Sequence, residues 1–259
     1  MVFLLCSFTI WQREIVRFLR QRSRIVGTLG QPFLFWILLG SGFGSSFRIK
    51  GVELSSGYLE YFFPGILVMM ILFTAIFSTF SVVEDRKAGF LQSVLVAPVP
   101  REAIILGHIL GGTTLSILQG FLFLCAAPLV GITLTLEIIG LSFLIMLFIS
   151  FSLTSLGLVF AWRIESTQGF HSIMNLFLIP LWLLSGAVFP ASSAHPIISW
   201  LMTINPLTYG VTILRRNLFP SQTEFFSVFP STFTCWVIIC SFSVIIFLIA
   251  SRTEKKYEG

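Results

Sequence analysis

The uncharged run "STQGFHSIMNLFLIPLWLLSGAVFPASSAHPIISWLMTINPLTYGVTIL", residues 166–214, is long enough for two membrane crossings, and its reading fixes the topology of the chain. A helix crosses the hydrocarbon core of a bilayer in about 20 residues. Residues 168–190 supply one such helix. The rest is interrupted by Pro190, Pro196 and Pro206, with Ser192, Ser193 and His195 between them. Irregular backbone at membrane depth survives only where protein or a water-filled cavity covers it. Residues 191–214 therefore read as short helices that dip back from the outer face.

The surrounding composition is that of a membrane protein. Of 259 residues, 56% are hydrophobic and only 10% are charged, and the mean hydropathy is +0.95. A soluble domain carries about 25% charged residues. The runs 25–47, 61–83, 103–136, 138–162 and 225–251 also lack Lys, Arg, Asp and Glu. With 166–214 they predict six spanning helices, near 28–47, 61–83, 104–130, 138–162, 168–190 and 227–250. The fold class is an all-α integral membrane protein with one transmembrane domain over 1–259: a cytoplasmic amphipathic helix in 1–27, a six-span bundle in 28–250 and a tail in 251–259.

Charge sets the orientation. Six crossings put both termini on one side, with Arg13, Arg17, Arg20, Arg22, Arg24 and Arg86. Lys87, Arg101, Arg163, Arg252, Lys255 and Lys256 join them there, while Arg48, Lys50, Arg215 and Arg216 face the other way. That split of 12 against 4 makes the richer side cytoplasmic. The expected location is the plasma (inner) membrane. A seventh crossing would put the tail "SRTEKKYEG" outside.

The start, "MVFLLCSFTI", has no basic n-region and no A-x-A-like site after it, so it does not read as a signal peptide. In "WQREIVRFLRQRSR" that follows, Trp11, Ile15, Phe18 and Leu19 share one helical face. Arg13, Arg17, Arg20 and Arg24 share the other. This is the pattern of a basic helix lying in the membrane surface against lipid, the alternative being a helix packed on a soluble partner.

The chemistry-bearing residues are sparse. Cys6, Cys125, Cys235 and Cys240 form no C-x-x-C and no zinc-binding spacing, and read as small apolar residues. No metal site is expected. Charged residues near the spans sit mostly at their ends, which leaves no buried relay of acids. Glu137 falls in a short outer loop, and His108 and His171 fall just inside spans, where a hydrogen-bonded interfacial role is expected. No G-x-x-x-x-G-K-[ST] motif and no nucleophile–base constellation occurs, so the chain is not expected to be an enzyme by itself. The net charge of +5 is not gathered into a basic patch interleaved with aromatics, so no nucleic-acid partner is expected. Gly40, Gly42 and Gly44, and the G-x-x-x-G pair Gly107 and Gly111 with Gly112, mark places for close helix approach.

One cytoplasmic segment concentrates the charge that the rest of the chain lacks. "SVVEDRKAGFLQSVLVAPVPREAI", residues 81–104, opens on Glu84, Asp85, Arg86 and Lys87. The two acids suit the first turn of a short helix, where the macrodipole favours negative charge. Phe90, Leu91, Val94 and Leu95 give that helix an apolar face. Pro98 and Pro100 stop it, and Arg101 opens the next span. Such a helix either rests on headgroups or presents a stiff knob to a cytoplasmic partner.

Two blocks decide what the sequence resembles. "EDRKAGFLQSVLVAPVPREAIILGHILGG" is similar to the signature of ABC-2-type exporter permeases, and "LSGAVFPASSAHPIISWLMTINPLTYGVTILR" at 184–215 resembles that family's second conserved region. One departure is His108, where the family has Lys. The resemblance implies six spans, re-entrant helices between spans 5 and 6, and pairing with a second permease copy as a homodimer or heterodimer. It also implies a separate cytoplasmic ABC ATPase that supplies ATP and Mg, with no cofactor on this chain. Carried over by residue, Glu84, Asp85, Arg86, Gly89, Phe90, Leu91, Leu95, Pro98 and Arg101 form the coupling region. Pro190, Asn205, Pro206, Leu207 and Tyr209 shape the outer gate. The wording of "GFLQSVLVAPVPR" looks most like the daunorubicin-resistance, multidrug-efflux branch. A lipid-linked polysaccharide exporter of O-antigen or teichoic-acid type is the alternative, and a non-transporting membrane scaffold is the reading from another class.

Overall fold

The computed structural model describes residues 1–43, 58–90, 99–191, 194–220 and 230–253. Among them every regular element is helical. We number the helices α1 Val2–Arg20, α2 Arg22–Phe43, α3 Tyr58–Ser78, α4 Phe80–Lys87 and α5 Arg101–Leu124. They continue as α6 Leu136–Arg163, α7 Thr167–Leu183, α8 Pro196–Ile204, α9 Pro206–Leu218 and α10 Thr232–Thr253.

Among the described residues five helical segments are long and apolar enough to cross a membrane: Ile25–Gly42, Tyr58–Lys87, Arg101–Leu124, Leu136–Arg163 and Thr232–Thr253. A sixth is reached if α8 and α9, bent by 88° at Asn205, count as one broken span. Helix α7 has 17 residues, the short end of what spans hydrocarbon.

The core is built around α3. This helix is apolar on every side, so it has no face suited to water, and every residue in it except Leu59 and Phe77 is buried. It packs against α2, α5 and α6, while α6 in turn holds α10 and α9. Rings interlock at one end, with Trp36 5.6 Å from Phe63 and 5.4 Å from Phe123 between ring centroids. By contrast α2 and α10 are largely exposed and turn apolar side chains outward, as lipid-facing helices do.

The expected second span ends at residue 83, just before the first charge, Glu84. The helix does not: α3 and α4 together run 30 residues, with only Thr79 between them. At 1.5 Å per residue that is about 45 Å, well beyond the ~30 Å hydrocarbon core. The surplus is long enough for Glu84–Lys87 to lie beyond that core. Glu84 and Asp85 therefore occupy the end of a helix, not the first turn of a new one.

Helix α1 also differs from expectation. Its principal contact is α5 of the same chain. The side chains buried there are Ser7, Glu14 and Phe18, while Leu4, Leu5, Phe8 and Leu19 remain exposed. Glycine makes the approach possible. A Cβ on Gly107 would lie 2.9 Å from the Ser7 carbonyl oxygen, and one on Gly111 would lie 2.8 Å from Glu14 Cβ. Thus the G-x-x-x-G pair holds the surface helix rather than another span. Gly40 abuts Leu59, Gly42 has none of the described residues near it, and Gly44 lies outside them.

Candidate functional site

The four charges of the tetrad 84–87 are tied to three parts of the bundle, the two acids to one and the two bases to one each. Arg13 of α1 donates to both carboxylate oxygens of Asp85, at 2.6 and 2.7 Å. Arg17, one turn on, donates to Asp85 at 2.9 Å and to Glu84 at 2.6 Å. Acids at a helix C-terminus oppose the macrodipole, and these two arginines offset that cost. Asp85 is almost fully covered, with 6% of its side chain exposed, so its partners are not replaceable by water. Arg13 also lies over the Phe90 ring, 4.2 Å from its centroid.

The two bases turn the other way. Arg86 donates to the carbonyls of Ala161 and Trp162 at 3.1 and 3.0 Å and stacks 5.5 Å from the Trp162 ring. Those are carbonyls of the last turn of α6, which have no partner further along the helix. Lys87 reaches the Thr167 hydroxyl, at 3.2 Å, at the first residue of α7. One short stretch thus joins α1, α6 and α7.

Glu14 extends the network inward. Its carboxylate lies 3.4 Å from His108 Nδ1 of α5 and 3.4 Å from Arg13. Burial pushes the Glu14 carboxyl up, but His108, a hydrogen bond from Ser81 and the Arg13 charge outweigh it and hold it below the ordinary value. Sequence reading missed this residue; the signal was an acid standing among arginines on a face otherwise assigned to headgroups.

Gly89 ends α4. Its φ of +72° is left-handed, and its N–H donates to the Arg86 carbonyl at 3.1 Å. Among the described residues no neighbouring atom lies within 4 Å of where a Cβ would stand, so backbone strain is what opposes a side chain there. Gly89→Ala is expected to cost about 1 kcal/mol, and Gly89→Asn, which tolerates this conformation, clearly less. Thermal unfolding of the two purified variants measures the difference; equal losses would mean that packing, not φ, selects glycine here.

Of the remaining coupling candidates, Arg101 opens α5 after Pro100, whereas Leu91, Leu95 and Pro98 lie outside the described residues. Among the arginines of the N-terminal helix, Arg13 and Arg17 are engaged by α4, Arg20 is exposed in the last turn of α1, and Arg24 has moved into α2.

The opposite face holds the other predicted group. Asn205 sits at the 88° corner, where its Oδ1 accepts from Leu207 N at 3.0 Å and its Nδ2 donates to the Leu181 carbonyl at 2.7 Å. It thereby caps α9 and ties the corner to the end of α7. Pro206 occupies the first turn, where its missing N–H costs nothing. Tyr209 donates back to the Thr203 carbonyl at 2.6 Å, and Leu207 is buried. Pro190 lies in the irregular stretch before α8, near Ala191; Ser192 and Ser193 lie outside the described residues.

That stretch is pinned to α3. The hydroxyls of Tyr58 and Tyr61 donate to the carbonyls of Val188 and Gly186 at 2.8 and 3.0 Å. Trp182 Nε1 donates to the Gly65 carbonyl at 2.8 Å. Arg215, assigned by charge counting to an outer loop, is instead buried: it lies 4.1 Å from the Tyr61 ring centroid and donates to Gly186 at 3.1 Å. No periodicity marks such a residue; only its place at the end of the second conserved block does.

Comparison with known proteins settles the class. The sequence profile described as ABC-2 type transporter matches residues 7–219. The chain belongs to the ABC-2 type transporter family. This ABC-2 chain is 26% identical to the putative transport permease ycf38 of Cyanophora paradoxa over 96% of its own length and 89% of the relative's. It is 28% identical to the inner membrane transport permease YadH of Escherichia coli K12, over 89% and 93% of the two chains. Nodulation protein J of Sinorhizobium fredii matches at 23% over 80% and 78%. The ABC-2 chain is thus a multi-pass membrane transport subunit, and membership implies an ABC ATPase partner in general.

Proposed function

We propose that the chain is the permease of an ATP-driven exporter and moves a hydrophobic or amphipathic molecule, drug-like or lipid-like, out of the cytoplasm. A separate ATPase closes on ATP and Mg, and a second permease copy completes the pathway. The observation that carries this reading is the tie of Glu84, Asp85, Arg86 and Lys87 to three separate helices. A load applied to the segment that follows them reaches α1, α6 and α7 at once, as a coupling element requires. The segment itself, residues 88–101, would seat its apolar positions in a cleft on the ATPase.

A carboxylate placed in such a cleft would be buried without a partner, at a cost of several kcal/mol. Leu91→Asp is therefore expected to lower ATPase co-purification at least tenfold at equal membrane expression. Unchanged co-purification together with unchanged transport would reduce the segment to a loop resting on headgroups.

In this reading α7 crosses the membrane and the α8–α9 pair re-enters from outside, so both termini are cytoplasmic. Single cysteines at positions 17, 87 and 256, in a background without the four native ones, are expected to resist an impermeant thiol reagent in intact cells. Position 193 is expected to react. Labelling at 256 from outside would make the α8–α9 pair a crossing.

A further inference from the structure

We propose that Gln119 of α5 is a latch for α2: its amide holds the N-terminal half of that helix to the bundle, and the half swings about Pro32 when the latch opens. The inference concerns a moving part and does not depend on the exporter reading.

Gln119 lies within the apolar span Arg101–Leu124 and is almost fully buried. Its Oε1 accepts from the hydroxyl of Thr74 in α3, and its Nε2 donates to Thr28 Oγ1 of α2 at 2.8 Å. Thr28 in turn donates to the Ile25 carbonyl at 3.2 Å. One side chain thereby joins three helices. Polar groups within spans hold helices together through such bonds. Hydrocarbon offers no water to replace them, so the latch is either made or broken.

The helix it holds is firmly seated at one end. Pro32, Trp36 and Gly40 recur every four residues and are buried. Trp36 meets Phe63 and Phe123 and donates to the Leu59 carbonyl at 3.3 Å. Among the described side chains of residues 22–31 none is buried, and Leu29 packs on the core only in part. A Cβ on Gly27 or Gly30 would meet none of the described residues within 4 Å. Gly27, Thr28 and Gln31 border a cleft of about 590 Å³ whose far wall includes His171, Asn175 and Ile179 of α7. The half has room to move.

Pro32 supplies the hinge. It lacks the N–H that would close the helical bond to residue 28, which is the latched residue itself. Sharp bends in helices concentrate at such prolines. Ten residues of helix measure about 15 Å, so a tilt of about 20° at the hinge moves the far end about 5 Å.

The test reads spin-label distances by double electron–electron resonance in the purified full-length chain in lipid nanodiscs. The native cysteines are removed, and labelled chain is diluted with unlabelled chain so that each particle carries one label pair. One pair joins positions 26 and 249, and a control pair joins 38 and 237; all four side chains are exposed. Helix α10 packs on α6 and α9, away from α2, and serves as the fixed reference. Gln119→Leu, close in size and unable to hydrogen-bond, is expected to add a second 26–249 distance displaced by about 5 Å. The 38–237 distance should not change. Thr28→Val breaks the same bond from the other side and should do the same. Pro32→Ala, which restores the missing helical bond, should return the Gln119→Leu protein to a single distance. An unmoved 26–249 distance in Gln119→Leu and Thr28→Val would overturn the proposal. So would equal broadening of both pairs, or a second distance that survives Pro32→Ala.

Discussion

Asp85→Ala is expected to release α1 from the end of α4 and to disable coupling. The substitution removes the acceptor of three charge-assisted hydrogen bonds, two from Arg13 and one from Arg17. It leaves those guanidiniums, one-third and one-quarter exposed, facing each other. Breaking a fully buried pair costs about 3–5 kcal/mol; the partial exposure of both arginines brings the figure nearer 2–3 kcal/mol. Glu84 keeps one contact with Arg17, so detachment should be incomplete, and Asp85→Ala with Glu84→Ala should complete it. The measurement is the reaction of a cysteine at position 18, buried in the intact protein, with a thiol reagent, together with ATP-driven transport. Protection and transport both at wild-type levels in the double variant would show that α1 is held by the α5 glycines alone. A cycle with Arg13→Ala isolates the pair, whose coupling should exceed 1 kcal/mol.

Gly65→Leu should have an effect of similar size at the other end of α3. A Cβ at this position would lie 2.6 Å from the Ala187 carbonyl oxygen and 2.9 Å from Ala187 Cα, so the obstruction is backbone and cannot rotate away. The stretch 185–188 must lift off α3. With it go the Trp182 bond to the Gly65 carbonyl, the two tyrosine bonds and the Arg215 contact with Gly186. Overpacking alone costs about 1–3 kcal/mol, and the lost hydrogen bonds add about 1 kcal/mol each. Gly65→Ala should show the same loss at reduced size. Thermal unfolding in detergent and tryptophan fluorescence in a background that keeps Trp182 both report it. A Gly65→Leu protein with unchanged unfolding would mean that this loop is not held as described.

The apolar plan was legible because it is periodic and local. Runs without charge announced the helices, and Asn205–Pro206 announced the corner, since a cap followed by a proline is written in adjacent residues. Other features depend on partners far apart in the chain. Arg13 and Arg17 read as headgroup contacts because nothing in their own segment points to acids some 70 residues away. Glu84 and Asp85 read as a helix start because charge was taken to end the span. Nothing from 80 to 87 stops a helix, and the unfavourable position of the acids is offset from outside it. Arg215 read as an outer-loop charge for the same reason: its ring and carbonyl partners belong to α3 and to the loop near Gly186.

The tie between Arg86 and the end of α6 also bears on how such permeases can be recombined. In the proposed reading residues 88–101 are an adaptor that one relative could lend to another to change its ATPase. The anchorage lies outside that boundary. A graft of 88–101 alone would join a foreign adaptor to a native clamp, whereas a graft begun at 84 would need matching residues at 13, 17 and 161–167 to hold it. The smallest exchangeable unit is discontinuous, three separate pieces of chain that meet at one point at the end of α4.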